Sequence, residues 1–220
     1  MPSRRPRACD PSGPEPRVYA GLSARERDAE RRQRLLDAAL RLFGTAGYAA
    51  TSADRVCTAA KVSTRHYYQL YANKEDLLLD LYASITQASM ELVAASLEAT
   101  LDEHFSVRLT AAIRAYLGPI LEDPRVARIA FVEVVGVSPR VEARRLEFRN
   151  AIVALVEAEG ARAVERGELG PRDFRFLALC FNGATNVVVQ DWGIDGGGGA
   201  AETLQDDLCR VALRLFGADA

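Results

Sequence analysis

The stretch from Thr51 to Leu79, TSADRVCTAAKVSTRHYYQLYANKEDLLL, decides the fold. Thr51 or Ser52 suits the cap of a short helix whose buried side is Ala53, Val56, Cys57 and Ala60. The chain then turns through Lys61 and Val62, and Ser63 caps a second short helix from Thr64 to Leu70. Asn73 caps a third, long helix, with Glu75 and Asp76 at the positive end of its dipole. The second short helix carries Thr64, Arg65, His66, Tyr67, Tyr68 and Gln69 in succession. That density of hydrogen-bonding groups does not suit a core. It suits a helix that enters the DNA major groove, which is wide enough to admit one.

Upstream, Ser23 is placed to cap a helix running to about Ala46, with Leu35, Leu36, Ala39, Leu42 and Phe43 on its apolar face and Gly47 closing it. Before it, Pro2, Pro6, Pro11, Pro14 and Pro16 alternate with Arg4, Arg5, Arg7 and Arg17 without periodicity, which predicts a disordered tail over residues 1–22. Such a tail is either solvated or an arm that touches phosphates or a minor groove.

Downstream the pattern is helix after helix. The long helix has a predicted apolar stripe of Leu77, Leu78, Leu81, Ile85, Ala88, Leu92, Ala95 and Leu97. Ser106 is placed to cap a segment to Leu121 that Gly118-Pro119 is expected to interrupt. Asp123-Pro124 and Ser138-Pro139 are cap-then-proline starts, the second leading to about Arg166. Pro171 or Asp173 opens a very apolar helix through Trp192, and Gly196 to Gly199 reads as a loop. A last helix, Ala200 to Phe216, puts Leu204, Leu208, Val211, Ala212 and Leu215 on one face. No strand or repeat is legible, so the fold class is all-α. The expected organisation is a helix-turn-helix head over residues 23–72 and a helical body over 73–220.

Charge agrees with this division. The chain carries a net of −2, yet residues 1–75 hold 14 Lys and Arg against 8 Asp and Glu, a net of +6, leaving 14 against 22, a net of −8, for the rest. A basic first third on an acidic body points to a nucleic-acid partner for the head. No apolar run is long enough to span a bilayer, and the N-terminal arginines are not followed by a signal-type apolar segment, so a cytoplasmic protein without a membrane partner is expected. Cys9, Cys57, Cys180 and Cys209 are unpaired in spacing and show no metal-ligand pattern. Histidine occurs only at His66 and His104, and Asp102, Glu103 and His104 are sequence neighbours that cannot converge from one helix face. With no nucleophile motif or phosphate-cradling loop, neither a cofactor nor catalysis is expected, and a helical enzyme is the weakest reading.

A groove-reading unit needs base-reading side chains near the start of its second helix and flanking groups on phosphates. Thr64 and Arg65 stand in that first turn, and arginine can take guanine O6 and N7 together. His66 and Gln69 add base or phosphate contacts, Tyr68 can place its hydroxyl on a phosphate, and Lys74 sits at a helix start that favours an anion. Thr51 or Ser52 offers the same arrangement one helix earlier.

The run LLDAALRLFGTAGYAATS, followed by VCTAAKVSTRHYYQLYANKEDLL, resembles the N-terminal domain of TetR-type transcriptional regulators over about a fifth of the chain. Phe43, Gly47-Tyr48, Thr51, Val56-Cys57, Ala60-Lys61-Val62-Ser63, Tyr67-Tyr68, Tyr71 and Lys74-Glu75 fall on the family's pattern. The resemblance implies that Tyr68 and Lys74 contact phosphates, that Thr51 contacts the DNA backbone, that Thr64, Arg65 and His66 form the reading face, and that Tyr67 packs inside the head. Two positions depart from the pattern. Lys61 replaces the glycine common in the turn, where a positive φ costs about 1 kcal/mol, and it can gain a phosphate in return. Arg65 replaces a small residue or proline, so base preference does not carry over from relatives. Cys57 is a mild change from alanine.

The resemblance further implies a homodimer on an inverted-repeat operator, paired through residues 174–192 and 200–216. It also implies a repressor released when a small apolar ligand enters the body. Met90, Phe105, Tyr116, Phe131, Phe148, Asn182 and Asn186 are the candidate liners of that cavity. The alternative is a DNA-binding regulator that acts through a protein partner without a ligand.

Overall fold

The computed structural model describes residues 24–194 and 200–218. The tail over 1–22, the Ser23 cap and the Gly196 to Gly199 loop lie outside the described residues. Among the described residues there is no strand. The helices are α1 (Ala24–Ala46), α2 (Ala53–Ala60), α3 (Thr64–Leu70), α4 (Lys74–Ala99), α5 (Phe105–Glu122), α6 (Pro124–Arg128), α7 (Pro139–Glu165), α8 (Phe174–Ile194) and α9 (Ala201–Phe216). A π-helical turn, Ile129–Glu133, continues directly from α6.

Local chemistry explains most boundaries. Ser52, Ser63, Asn73, Asp123 and Ser138 each accept a hydrogen bond from a backbone N–H two or three residues on, at the starts of α2, α3, α4, α6 and α7. Asp173 does the same for Phe176 N in the first turn of α8, at 2.9 Å. Pro124 and Pro139 occupy first-turn positions, where a missing N–H is harmless. Gly47, at φ 92°, closes α1 with its N–H on Phe43 O.

α1, α2, α3 and the first turns of α4 enclose one core, built on Leu35, Phe43, Val56, Tyr67, Leu77 and Leu78. Ile129, Val134 and Val141 from the body enter that same core. A second core gathers Phe105, Leu117, Ile120, Phe174, Val189 and Phe216 from α5, α8 and α9. Each such side chain taken from water stabilises by about 1.5–3 kcal/mol before entropy is counted. α4 runs from the first core to the second.

Four expectations need correction. The stripe on α4 holds through Leu81, but the far half buries Tyr82, Thr86, Ser89 and Val93 while Leu92 is exposed. Thr86 tolerates burial because its hydroxyl donates to Tyr82 O at 2.9 Å, so apolar content is a poor guide to this face. Gly118-Pro119 does not interrupt α5, because Pro119 lies in its last turn and removes only one backbone hydrogen bond. His104, rather than Ser106, caps α5. Val211, expected on the buried face of α9, is 47% exposed.

Candidate nucleic-acid interface and internal cavities

The turn between α2 and α3 is tight because Lys61 adopts φ 53°, ψ 42°. Its N–H reaches Thr58 O at 3.2 Å, and Val62 N–H reaches Cys57 O at 3.0 Å, which closes α2. The buried Val62 and Tyr67 then fix how α3 leaves the turn. Tyr67 is fully buried and donates its hydroxyl to Asn73 O at 3.1 Å, so it packs inside the head. Burial pushes its phenol well above the ordinary range.

The opposite side of α3 faces outward. Ser63, Thr64, Arg65, Tyr68 and Gln69 are exposed, as are Lys61 and Ser52, and His66 is half-buried. Ser63 Oγ and His66 Nδ1 lie 2.9 Å apart, and Thr64 Oγ1 is 3.5 Å from Asp54 Oδ1. Arg65 takes part in no ion pair among the described residues. These groups form one continuous polar surface over a packed core.

Two of the expected contact residues sit differently. Thr51 is 1% exposed, and its hydroxyl donates to Gly47 O at 2.9 Å, so its side chain does not reach the surface. Lys74 turns inward. Its Nζ donates to Tyr48 O at 2.7 Å and Thr51 O at 2.9 Å and lies 4.1 Å from the centre of the Tyr48 ring. Desolvation holds its pKa below the ordinary lysine value. Lys74 therefore pins the loop between α1 and α2 to the start of α4.

That loop is gripped from the body as well. Glu133, the last residue of the π-helical turn, accepts Tyr48 N–H at 2.7 Å and Arg128 Nε–H at 2.8 Å. Arg128 also donates to Thr45 O at 3.2 Å. On the other side, Arg140 of α7 donates to Asp76 Oδ1 at 2.5 Å. The Arg140 hydrogen bond holds the Asp76 carboxyl below its ordinary range, ahead of smaller opposing desolvation. Within the head, Asp80 accepts Arg32 Nε–H at 2.7 Å and Tyr71 O–H at 2.6 Å. Glu133, Arg128, Arg140 and Asp80 were not among the expected functional residues. Their partners are up to 85 residues away in sequence, so no spacing could have shown them.

In the body, three cavities adjoin. The largest, about 320 Å³, is lined by Tyr116, Phe131, Phe148, Asn182 and Asn186 with Arg145 and Arg149. The second, about 90 Å³, is lined by Met90 and other apolar side chains and shares Tyr116 and Asn182 with the first. The third, about 50 Å³, contains Phe105 and shares Leu109, Ala112, Leu155 and Val156 with the second. All seven sequence-selected liners thus stand on a cavity wall. Asn186 Nδ2–H donates to Asn182 Oδ1 at 3.0 Å, and burial pushes the Tyr82 phenol up to about 12 and that of Tyr116 higher still. No group of three or more His, Cys, Asp or Glu among the described residues could hold a metal ion. No helix of the described residues is long and apolar enough to cross a membrane.

A helix-turn-helix head with an outward polar helix, set on a helical body with adjoining cavities, defines a class of DNA-binding regulator. The profile of bacterial regulatory proteins of the tetR family matches residues 35–81, and that of the tetracyclin repressor-like C-terminal domain matches residues 103–216. The chain belongs to the TetR family and is a transcriptional regulator. It is 28% identical over 179 residues to the HTH-type transcriptional regulator AqdR of Rhodococcus erythropolis, covering 80% of this chain and 83% of that one. Its fold is that of FadR from Bacillus subtilis, crystallised with stearoyl-CoA, at a TM-score of 0.72 and 16% identity, covering 86% of this chain and 99% of that one. The fatty acid degradation regulator FadR of Bacillus halodurans matches at a TM-score of 0.73 and 18% identity, covering 83% and 94%.

Proposed function

We propose that this regulator represses transcription as a homodimer on an inverted-repeat operator and is released when a small, largely apolar molecule fills the cavities of its body. The observation that carries the reading is the exposed face of α3, where Thr64, Arg65, Tyr68 and Gln69 stand clear of a rigid, packed head. In this reading Arg65 reads a base, Thr64, His66 and Gln69 add base or phosphate contacts, and Ser52, Lys61, Ser63 and Tyr68 hold the backbone. Thr51 and Lys74 act from within, by fixing the loop that sets the angle of α2.

Dimerisation is supported by α8, which leaves Phe176, Leu179, Val187, Val188 and Ile194 exposed, and by the exposed Val211 of α9. A row of large apolar side chains along two antiparallel-capable helices suits a four-helix interface with a second copy. The head occupies residues 23–72 and the sensing body 73–220 in this scheme, joined by α4 and by the shared core.

The ligand reading is supported by the cavities and by the stearoyl-CoA found on the FadR of Bacillus subtilis, a molecule with a long apolar chain. The route to the head is short. Ala130 and Phe131 line the largest of the three adjoining cavities, and Glu133, two residues beyond Phe131, holds Tyr48. A molecule pressing on Phe131 therefore acts on the turn that grips the head. Moving such an equilibrium from 1:99 to 99:1 takes about 5.5 kcal/mol of differential affinity.

The test is fluorescence anisotropy with labelled DNA from beside the protein's own gene. Binding should weaken steeply with salt, because several phosphates are neutralised. Arg65→Ala should flatten the preference for the best site by about 1–3 kcal/mol, whereas Tyr68→Phe should weaken matched and mismatched sites alike. Equal losses on both sites for Arg65→Ala would remove Arg65 from base reading.

A further inference from the structure

Four buried side-chain atoms have no hydrogen-bond partner among the described residues: Nε and Nη1 of Arg108, Nε of Arg149 and Oγ1 of Thr185. Each residue lines a different one of the three adjoining cavities. Thr185, 4% exposed on α8, faces the apolar middle cavity. Arg108 is the most demanding of the three. It is 1% exposed on α5, and its Nη2 is paired with Glu159 of α7. The remaining walls of its cavity are Leu97, Phe105, Leu109, Ala112, Leu155 and Val156, none of which offers a side-chain acceptor.

A buried donor left without an acceptor is destabilising, and more so on a charged group. Such a group in a native interior marks a place where something else supplies the acceptor. Glu159 is shared as well: the half-exposed Arg162 lies 3.7 Å from its other oxygen. Arg108 thus has a divided claim on its one carboxylate partner, on the wall of a pocket that continues into the apolar middle cavity.

We propose that these cavities take an elongated aliphatic carboxylic acid, with its carboxylate on the unpaired Nη1 of Arg108 and its hydrocarbon body along the middle cavity between Leu109, Ile113, Leu155 and Phe181. The inference rests on the ligand-sensing reading above and adds the chemical class and the polar anchor. A neutral alkane leaves Arg108 unsatisfied, and an alkylammonium meets a like charge. The carboxylate answers both, because charge-assisted hydrogen bonds are about twice as strong as neutral ones.

The probes are dodecanoate, 1-dodecanol and dodecylammonium, titrated calorimetrically into the full chain at a pH where the acid is ionised. Dodecanoate should bind at least tenfold more tightly than either of the others. Arg108→Gln should remove that advantage and leave dodecanol within about twofold of its original affinity. Glu159→Gln, which frees Arg108 from its partner, should bind dodecanoate as tightly or more tightly. A purely structural pair would instead lose binding in both variants. Because Arg108→Gln strands the Glu159 carboxylate, the double variant Arg108→Met with Glu159→Gln provides a neutral pair that should fold and should still bind dodecanol but not discriminate the acid. Equal affinity for dodecanoate and dodecanol, no binding of dodecanoate, or indifference to Arg108 would each overturn the proposal. The sensing reading is judged separately by operator anisotropy. Arg108-dependent binding of dodecanoate without loss of DNA affinity would retain the acid site and reject its role in release. Release by dodecanol without dependence on Arg108 would do the reverse.

Discussion

Substitution of Lys61 separates backbone strain from charge at a single position. Lys61 is the one non-glycine residue with positive φ among the described residues. It cannot relax by local rotation, because Val62 is buried and the turn's two N–H groups are committed to Cys57 and Thr58 carbonyls. An L-residue in the left-handed region costs about 1–2 kcal/mol. Glycine relieves that cost but returns about 0.5–1 kcal/mol through its greater freedom in the unfolded chain. Lys61→Gly should therefore stabilise by about 0.5–1 kcal/mol, a rise in Tm of about 1–4 °C for a chain of this size. Lys61→Ala removes the ammonium and keeps the strain, so it should not gain. Melting is followed by circular dichroism at one protein concentration, because association shifts Tm. In operator anisotropy against salt, both variants should lower the slope by about 1 if the ammonium sits at a phosphate. A glycine variant that melts no higher than the alanine variant would refute the strain argument. An unchanged slope in both would take Lys61 off the DNA backbone.

Three further tests probe the frame around the site. A Cβ on Gly160 of α7 would collide with Cδ1 of the buried Phe174 ring, so Gly160→Ala should cost about 1–3 kcal/mol by overpacking, and Phe174→Leu in the same chain should recover part of it; an unchanged Tm would mean a looser seam between α7 and α8. Burial raises the Asp80 carboxyl, but hydrogen bonds from Arg32 and Tyr71 outweigh it and leave the folded pKa below the ordinary 3.8. A depressed carboxylate contributes stability that is fully present above its ordinary value and is lost as pH falls through the folded one. Asp80→Asn should therefore be less stable than the parent at pH 7, with the difference closing in acid below 3.8; a pH-independent gap would assign its role to shape alone. Glu133→Gln keeps an acceptor for Tyr48 N–H but drops the charge that Arg128 answers, so amide exchange over residues 48–51 should quicken about tenfold while that of the α5–α9 core is unchanged. Unaltered protection at Tyr48 would show that Glu133 does not grip the loop.

Helix boundaries were legible because they rest on local chemistry: serine, asparagine and aspartate caps, cap-then-proline starts, and a glycine at the end of α1 all act within a few residues. The outward face of α3 was legible for the same reason, since Tyr67 is the one residue in that run with an apolar place to go. The far half of α4 was not, because burial there falls on Thr86 and Ser89, whose polarity hides a buried face from any apolar count. Thr51 and Lys74 show a different failure. Their residue types permit a phosphate contact, and only the fold reveals nearer acceptors in Gly47, Tyr48 and Thr51 carbonyls.

The π-helical turn is the feature furthest from the sequence and the one that ties the rest together. Ile129 and Val134 enter the core of the head, Ala130 and Phe131 face the largest of the three adjoining cavities, and Glu133 holds Tyr48. A regular α-helix turns 3.6 residues per cycle, whereas a π turn takes a wider ring closed between i and i+5 and so changes which residues share a face. Over a few residues one backbone segment thereby serves two cores and a cavity. Nothing in IAFVE announces this, since each residue is an ordinary helix occupant. The consequence is mechanical: a shift of Phe131 that leaves the turn intact must carry Glu133 with it, and Tyr48, Thr51 and Lys74 form a single hydrogen-bonded unit behind Glu133. The alternative is to break the turn, and either course alters the grip on the loop that precedes α2. The head thus meets the cavity through a single backbone turn rather than a long chain of side chains, and for the proposed release by a bound molecule conservative changes at Glu133 are the sharpest test of coupling.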